Sequence, residues 1–293
     1  MKPLSCAVLL ACMCLSPVTG QESGIRESGI AGGGKGIPLL ISDHHGDHAL
    51  WLINRGGNES TALLVLDAHA DTEINRDREA IRAFIGAGDQ KNADRLLKNH
   101  NWIHPLTPGP VNSLAWISRI SGTPDQGREE GFWRSTASWG LETAECVNVD
   151  ELDSVSLPGA LLFVSIDLDF FYYEDYTARD IPPVFNRLLE YSEAWNGDVL
   201  WALCTSLAWL PGAEYAWELL EQSLAWLAAQ EVFAPAEITM FTSYRYDTSR
   251  RAESFRAAGM EAPGFYLKEG ALPETVRNLF LQLQDESVYE TPE

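Results

Sequence analysis

Two segments, Leu64-Val65-Leu66-Asp67-Ala68-His69-Ala70-Asp71 and Leu162-Phe163-Val164-Ser165-Ile166-Asp167-Leu168-Asp169, each run from apolar residues into alternating acidic or imidazole side chains. A strand buried on both faces is apolar throughout, so ionisable groups at its carboxyl end mark the place where a parallel sheet meets a ligand crevice. Clustered carboxylates repel one another and drift toward protonation unless a cation neutralises them. Oxygen ligands interspersed with imidazole suit manganese, iron or zinc, and carboxylates shared between ions are what a two-metal centre requires. Asp67, His69, Asp71, Asp167 and Asp169 are therefore candidate ligands, expected with period two to point the same way within each extended segment. Four of the six histidines, His44, His45, His48 and His69, fall between positions 44 and 69. His45 and His48 are further candidate ligands, and His44 is expected beside the site or at the surface. His104, next to Pro105, is a candidate proton shuttle, because imidazole titrates near neutrality.

The elements that would position these groups alternate along the chain. Strands are expected at residues 37–42, 62–66, 113–118, 142–149, 160–167, 199–204 and 237–241. Helices are expected at 49–54, 183–195, 214–230, 248–258 and 273–285, with a long helical stretch at 75–99 broken near Gly86 and Gly88. Strands alternating with helices predict a three-layer α/β/α fold around a mostly parallel sheet. Residues 122–141, rich in Gly, Ser, Arg and Trp, are expected as an inserted loop near the crevice.

The chain has 293 residues and a formal charge of −21, from 42 acidic and 21 basic side chains spread along its length. Such a field repels phosphate backbones and anionic lipid, which disfavours nucleic acid and membrane surfaces as partners and leaves small molecules. Residues 1–20 combine a basic start, an apolar middle and small residues at the end, the pattern of a secretory signal cleaved after Gly20. A lipoprotein signal at Leu9-Leu10-Ala11-Cys12, leaving Cys12 as the lipidated first residue, is the second choice, since its apolar segment is short. A Gly- and Ser-rich lead-in at 21–36 then precedes one domain at 37–293. No other stretch has the ~18 continuous apolar residues that a membrane span needs. Cys146 and Cys204 remain in the mature chain, and either a disulfide or two buried thiols suits an exported protein.

Asp67-Ala68-His69-Ala70-Asp71 resembles the Asp-Ala-His-x-Asp signature of the arginase and agmatinase (ureohydrolase) superfamily, and Ser165-Ile166-Asp167-Leu168-Asp169 resembles its second metal signature. A third ligand in that superfamily comes from a Gly-Asp-His string, matched by Gly46-Asp47-His48; alignment on the preceding strand selects His45 instead, and His48 is preferred. The chain is still more similar to an uncharacterised arginase-like family with Ser-Ile-Asp-Leu-Asp-Phe-Phe, here residues 165–171, a Trp-Ile-x-Pro segment at 102–105 and a late strand ending in Thr242-Ser243. The resemblance spans roughly residues 37–245. It implies an arginase- or deacetylase-like fold holding two divalent ions, Mn2+ ahead of Zn2+ or Fe2+. Asp67 and Asp167 would bridge the ions, His69 and Asp169 would complete one set of ligands, and His48 (or His45) with Asp71 the other. The implied activity is hydrolysis of a non-peptide C–N bond, amide or amidine, in an exported protein. Phe170, Phe171, Tyr172 and Tyr173 stand where arginases continue with a third Asp and a Pro, and no counterpart of the guanidinium-binding glutamate lies near Thr242-Ser243, which argues against arginine or agmatine as substrate. Two further readings stay open. Asp43-His44-His45 is the hallmark string of manganese phosphoesterases, though here it precedes the other acidic motifs; the alternative is a metal-dependent binding module without turnover.

Overall fold

Successive residues of the central strands pack on opposite sides of one sheet. Leu64, Leu66, Ala115, Ile117, Leu162, Val164 and Ile166 join one apolar cluster, while Leu63, Val65, Leu114, Trp116, Leu161 and Phe163 join the other. Both faces are thus buried, which is why these strands read as unbroken apolar runs. A computed structural model provides the coordinates, and it describes residues 36–42, 44–57, 59–122, 125–173, 176–205, 210, 213–230, 232–233, 239–241 and 265–266.

The elements in chain order are β1 (Leu39–Ser42), α1 (His45–Gly56), β2 (Thr61–Leu66), α2 (Arg78–Gly86), α3 (Gln90–Leu96), β3 (Val111–Arg119), α4 (Gln126–Thr136), β4 (Thr143–Asn148), β5 (Leu161–Asp167), α5 (Phe170–Tyr173), α6 (Ile181–Glu193), β6 (Asp198–Cys204), α7 (Ala213–Ala228), β7 (Thr239–Phe241) and β8 (Phe265–Tyr266). Among the described residues they form an eight-stranded sheet of order β4-β3-β2-β5-β6-β1-β7-β8. Every neighbouring pair is parallel except β7 with β8. Helices α1, α2 and α3 contribute Leu52, Ile81 and Ala93 to one face, and α6 and α7 contribute Phe185, Leu188 and Leu220 to the other. The fold is a three-layer α/β/α sandwich. Among the described residues no helix is long and apolar enough to cross a membrane.

The winding of the chain decides where a ligand can enter. From β2 the chain moves outward to β3 and β4, whereas from β5 it moves the opposite way to β6. Right-handed crossovers in opposite directions put the two connections on opposite faces and leave a gap above the carboxyl ends of β2 and β5. Asp67 follows the last residue of β2, and Asp167 is the last residue of β5.

Several expectations are refined by packing. The first helix starts at His45, inside the histidine-rich string instead of after it. The broken stretch at 75–99 is α2 and α3, separated by Gly88 at φ 73°. Residues 126–136 of the expected loop form α4, started by Asp125, whose side chain accepts hydrogen bonds from the Gly127 and Arg128 amides. Phe170 and Phe171 are fully buried in the α6-side core, packed under the sheet. Cys146 and Cys204 sit on separate, non-adjacent strands as thiols, with no disulfide between them. The expected leader, lead-in, helices 248–258 and 273–285, Asp43 and Thr242-Ser243 lie outside the described residues.

Candidate metal centre

Asp67 and Asp167 each begin a turn in which their own side chain supplies the first hydrogen bond. Asp67 Oδ1 accepts from the His69 amide at 2.7 Å, and Asp167 Oδ1 accepts from the Asp169 amide at 2.9 Å. These aspartate turns end the strands and fold each motif back on itself. Convergence therefore comes from turns, and the expected continuation of period-two alternation through residue 71 does not occur. Asp71 adopts a left-handed φ of 49°, the one positive value at a non-glycine residue among those described. Aspartate tolerates that conformation better than most side chains, and such backbone strain concentrates at functional sites.

Helix α1 brings the imidazole. His44 caps it, its Nδ1 accepting from the Gly46 amide at 2.8 Å, and this fixes the direction of the next residue. His45 Nδ1 lies 2.7 Å from Asp71 Oδ2 and its Nε2 lies 3.2 Å from Asp167 Oδ2, so one ring joins the two distant motifs. On the other side of Asp67, His69 Nδ1 stands 3.3 Å from Asp169 Oδ2. Among the described residues, three sets of ligand-type atoms fall within 4.8 Å of one another: His45, Asp67 and Asp71; Asp67, His69 and Asp169; and His45, Asp167 and Cys204. Asp67 belongs to two sets, as a bridging carboxylate would.

Electrostatics in the metal-free protein follow from crowding. Burial and the neighbouring Asp71, Asp169 and Asp167 push the Asp67 carboxyl well above its usual range. For His45, burial opposes the charged ring, but Cys204, Asp71 and Asp167 outweigh it and hold the pKa well above 6.5. The hydrogen bond to Asp169 raises His69, although 47% of that side chain is exposed to the crevice. Asp67 Oδ2 and Asp169 Oδ1 are buried without a hydrogen-bond partner. Four carboxylates, two imidazoles and these unmatched oxygens are a donor set that fits divalent cations.

Of the residues singled out from sequence, six meet here and two do not. His48, the preferred third ligand, is buried on the next turn, its Nδ1 2.8 Å from Ser165 Oγ and its ring packed against Trp102 and Phe163; His45 occupies the position assigned to it. Residue 45 reaches the sheet edge because α1 starts there, whereas residue 48 is three positions further into the layer. His104 does not line the crevice. Its Nδ1 accepts from the Asn75 amide at 3.1 Å, its ring packs on Trp139, and burial with the nearby Arg78 lowers its pKa. Of the phosphoesterase-like string, His45 enters the cluster while His44 serves as a cap.

Sequence reasoning missed the groups that frame the cluster. Trp102 donates its indole N–H to Asp71 Oδ2 at 2.8 Å and packs on His45 with ring centroids 5.6 Å apart. Trp116 donates to the Asp67 carbonyl at 2.9 Å. Trp116, with Glu73, His100 and Arg128, borders a crevice of about 560 Å3 whose floor holds the acidic cluster, and Trp102 lies buried behind it. The Trp102 signal lay in the Trp-Ile-x-Pro segment, but its partner is visible only in three dimensions. No protein-family model, curated protein or solved structure matches the chain.

Proposed function

We propose that this protein is a metal-dependent hydrolase acting on a C–N bond of a small amide or amidine, with an arginase-like site. The observation that carries the reading is the double membership of Asp67, whose buried carboxylate is common to the His45–Asp71 and His69–Asp169 sets. Asp67, Asp71, His45, Asp167, His69 and Asp169 would hold two divalent transition-metal ions, with Mn2+, Zn2+ and Fe2+ as the candidates. When bound, such ions supply Lewis acidity and bring the ionisation of water close to neutral pH. The chain's own residues do the rest. Trp102 fixes the Asp71 carboxylate, and the aspartate turns hold Asp67 and Asp167 before any ligand arrives. The apolar faces of Trp116 and Phe132 restrict water at the crevice wall. A crevice of about 560 Å3 is of the size that takes one small molecule. Export by the leader at residues 1–20 completes the reading, and the mature amino terminus, sequenced from secreted material, would begin at Gln21.

The test is elemental analysis of the purified protein together with hydrolysis of amide, amidine and phosphodiester panels. Two ions per chain and turnover on the amide or amidine arm are expected, with both metal and turnover lost in Asp67→Ala. Tight metal retention in that variant overturns the assignment. Turnover confined to phosphodiesters would move the protein to the phosphoesterase reading, and bound metal with no hydrolysis on any arm to the binding-module reading.

A further inference from the structure

We propose that Cys204 is a metal ligand, and that its sulfur turns the centre toward thiophilic ions such as Zn2+ or Co2+ and away from Mn2+. This rests on the metal-centre reading above. Cys204 ends β6, where its Cα is in register with Asp167 on one neighbouring strand and with Ser42 on the other. Leu200 and Ala202 pack in the cluster on the α1 side of the sheet, so residue 204 projects to the same side, toward the start of α1. The sulfur, a His45 ring nitrogen and an Asp167 oxygen lie within 4.8 Å of one another, and all three residues are buried. Ligands about 2.0 to 2.3 Å from one zinc ion stand at most about 4.6 Å apart, so a small closing movement would bring the three onto a common ion.

Two further observations point to a ligand. Neither ring nitrogen of His45, a residue only 2% exposed, is aligned for a hydrogen bond, although both stand beside carboxylates. The nitrogens also face different partners, Nδ1 toward Asp71 and Nε2 toward Asp167. The Asp67–Asp71 set is all oxygen around the imidazole, and the Asp167–Cys204 set adds sulfur. Oxygen and nitrogen donors alone suit Mn2+; a thiolate favours softer ions.

X-ray absorption on the Zn2+-loaded full-length protein tests this without any substitution, the expected result being a sulfur scatterer at about 2.3 Å. The Co2+-loaded protein should show a sulfur-to-cobalt charge-transfer band that Cys204→Ser and Cys204→Ala both lack. In competition between Zn2+ and Mn2+, Cys204→Ser should lose at least about tenfold of the preference for zinc. Metal bound through nitrogen and oxygen alone, with the Zn2+/Mn2+ preference unchanged in Cys204→Ser, overturns the role of Cys204 and leaves the metal centre standing. Failure of the wild-type protein to bind either ion overturns both.

Discussion

At the scale of the residue, Asp71 carries three demands at once: a left-handed backbone, a contact with His45 and the acceptor for the Trp102 indole. Asparagine meets the first and keeps an oxygen for the third, but it lacks the charge that a cation would need. Asp71→Asn is therefore expected to melt within a few degrees of the wild type while binding metal at least about tenfold more weakly. Asp71→Ala should behave differently. A Cβ without a polar group is strained at this φ and leaves the buried indole N–H unmatched, a loss of about 1 to 3 kcal/mol. Urea denaturation of the two variants in chelator, beside a metal titration of each, separates the contributions. Equal destabilisation of both would mean that the charge, and not the geometry, holds the turn.

At the scale of the element, the site depends on how closely β5 and β6 start together, since register at their first residues carries through to Asp167 and Cys204 at their last. Gly197 stands just before β6 with its backbone against the Ala160 carbonyl oxygen, where an added Cβ would collide. Backbone cannot move aside as the end of a flexible side chain can. Gly197→Ala is thus expected to lower the stability by about 1 to 3 kcal/mol, read as a shift in the urea midpoint. A midpoint equal to wild type would show that the strand start has room to slide. Helix α4 illustrates the same dependence from the other side. Its composition suggested a loop, yet the Asp125 cap and the burial of Phe132 against Trp116 hold it as a helix on the crevice wall.

At the scale of the whole molecule, the acidic cluster makes the stability of the metal-free protein a function of pH. His45 and His69 are raised above 6.5, so on the alkaline side of 6.5 the folded state holds more protons than the unfolded one. Their stabilisation is complete below the unfolded values and is lost as pH rises through the folded ones. His48 and His104 are lowered, and they remove stability only as pH falls below 6.5. In chelator the melting temperature should consequently fall as pH rises above 6.5. With Mn2+ or Zn2+ present the trend should reverse, because the ions bind the deprotonated ligands. A melting temperature that ignores both pH and metal on that side would mean that the cluster does not titrate with folding.

Much of this was legible in the chain itself. Continuous apolar runs announced strands covered on both faces, and acidic residues at the ends of two of them located the crevice, because the side-chain period of a strand and the cost of burying charge are local properties. The three-layer class followed from the alternation of elements. What the sequence left open was which groups meet. Choosing His45 over His48 required the start of α1, which is set by the His44 cap and by packing on the sheet. Placing His104 among Asn75, Arg78 and Trp139 required the folded chain. Cys204 lies 159 positions from His45, and only the strand order, which brings β1, β6 and β5 side by side, puts its sulfur beside the imidazole. Such distant pairings are fixed by the direction in which the chain winds, a property of the assembled sheet and of no single segment.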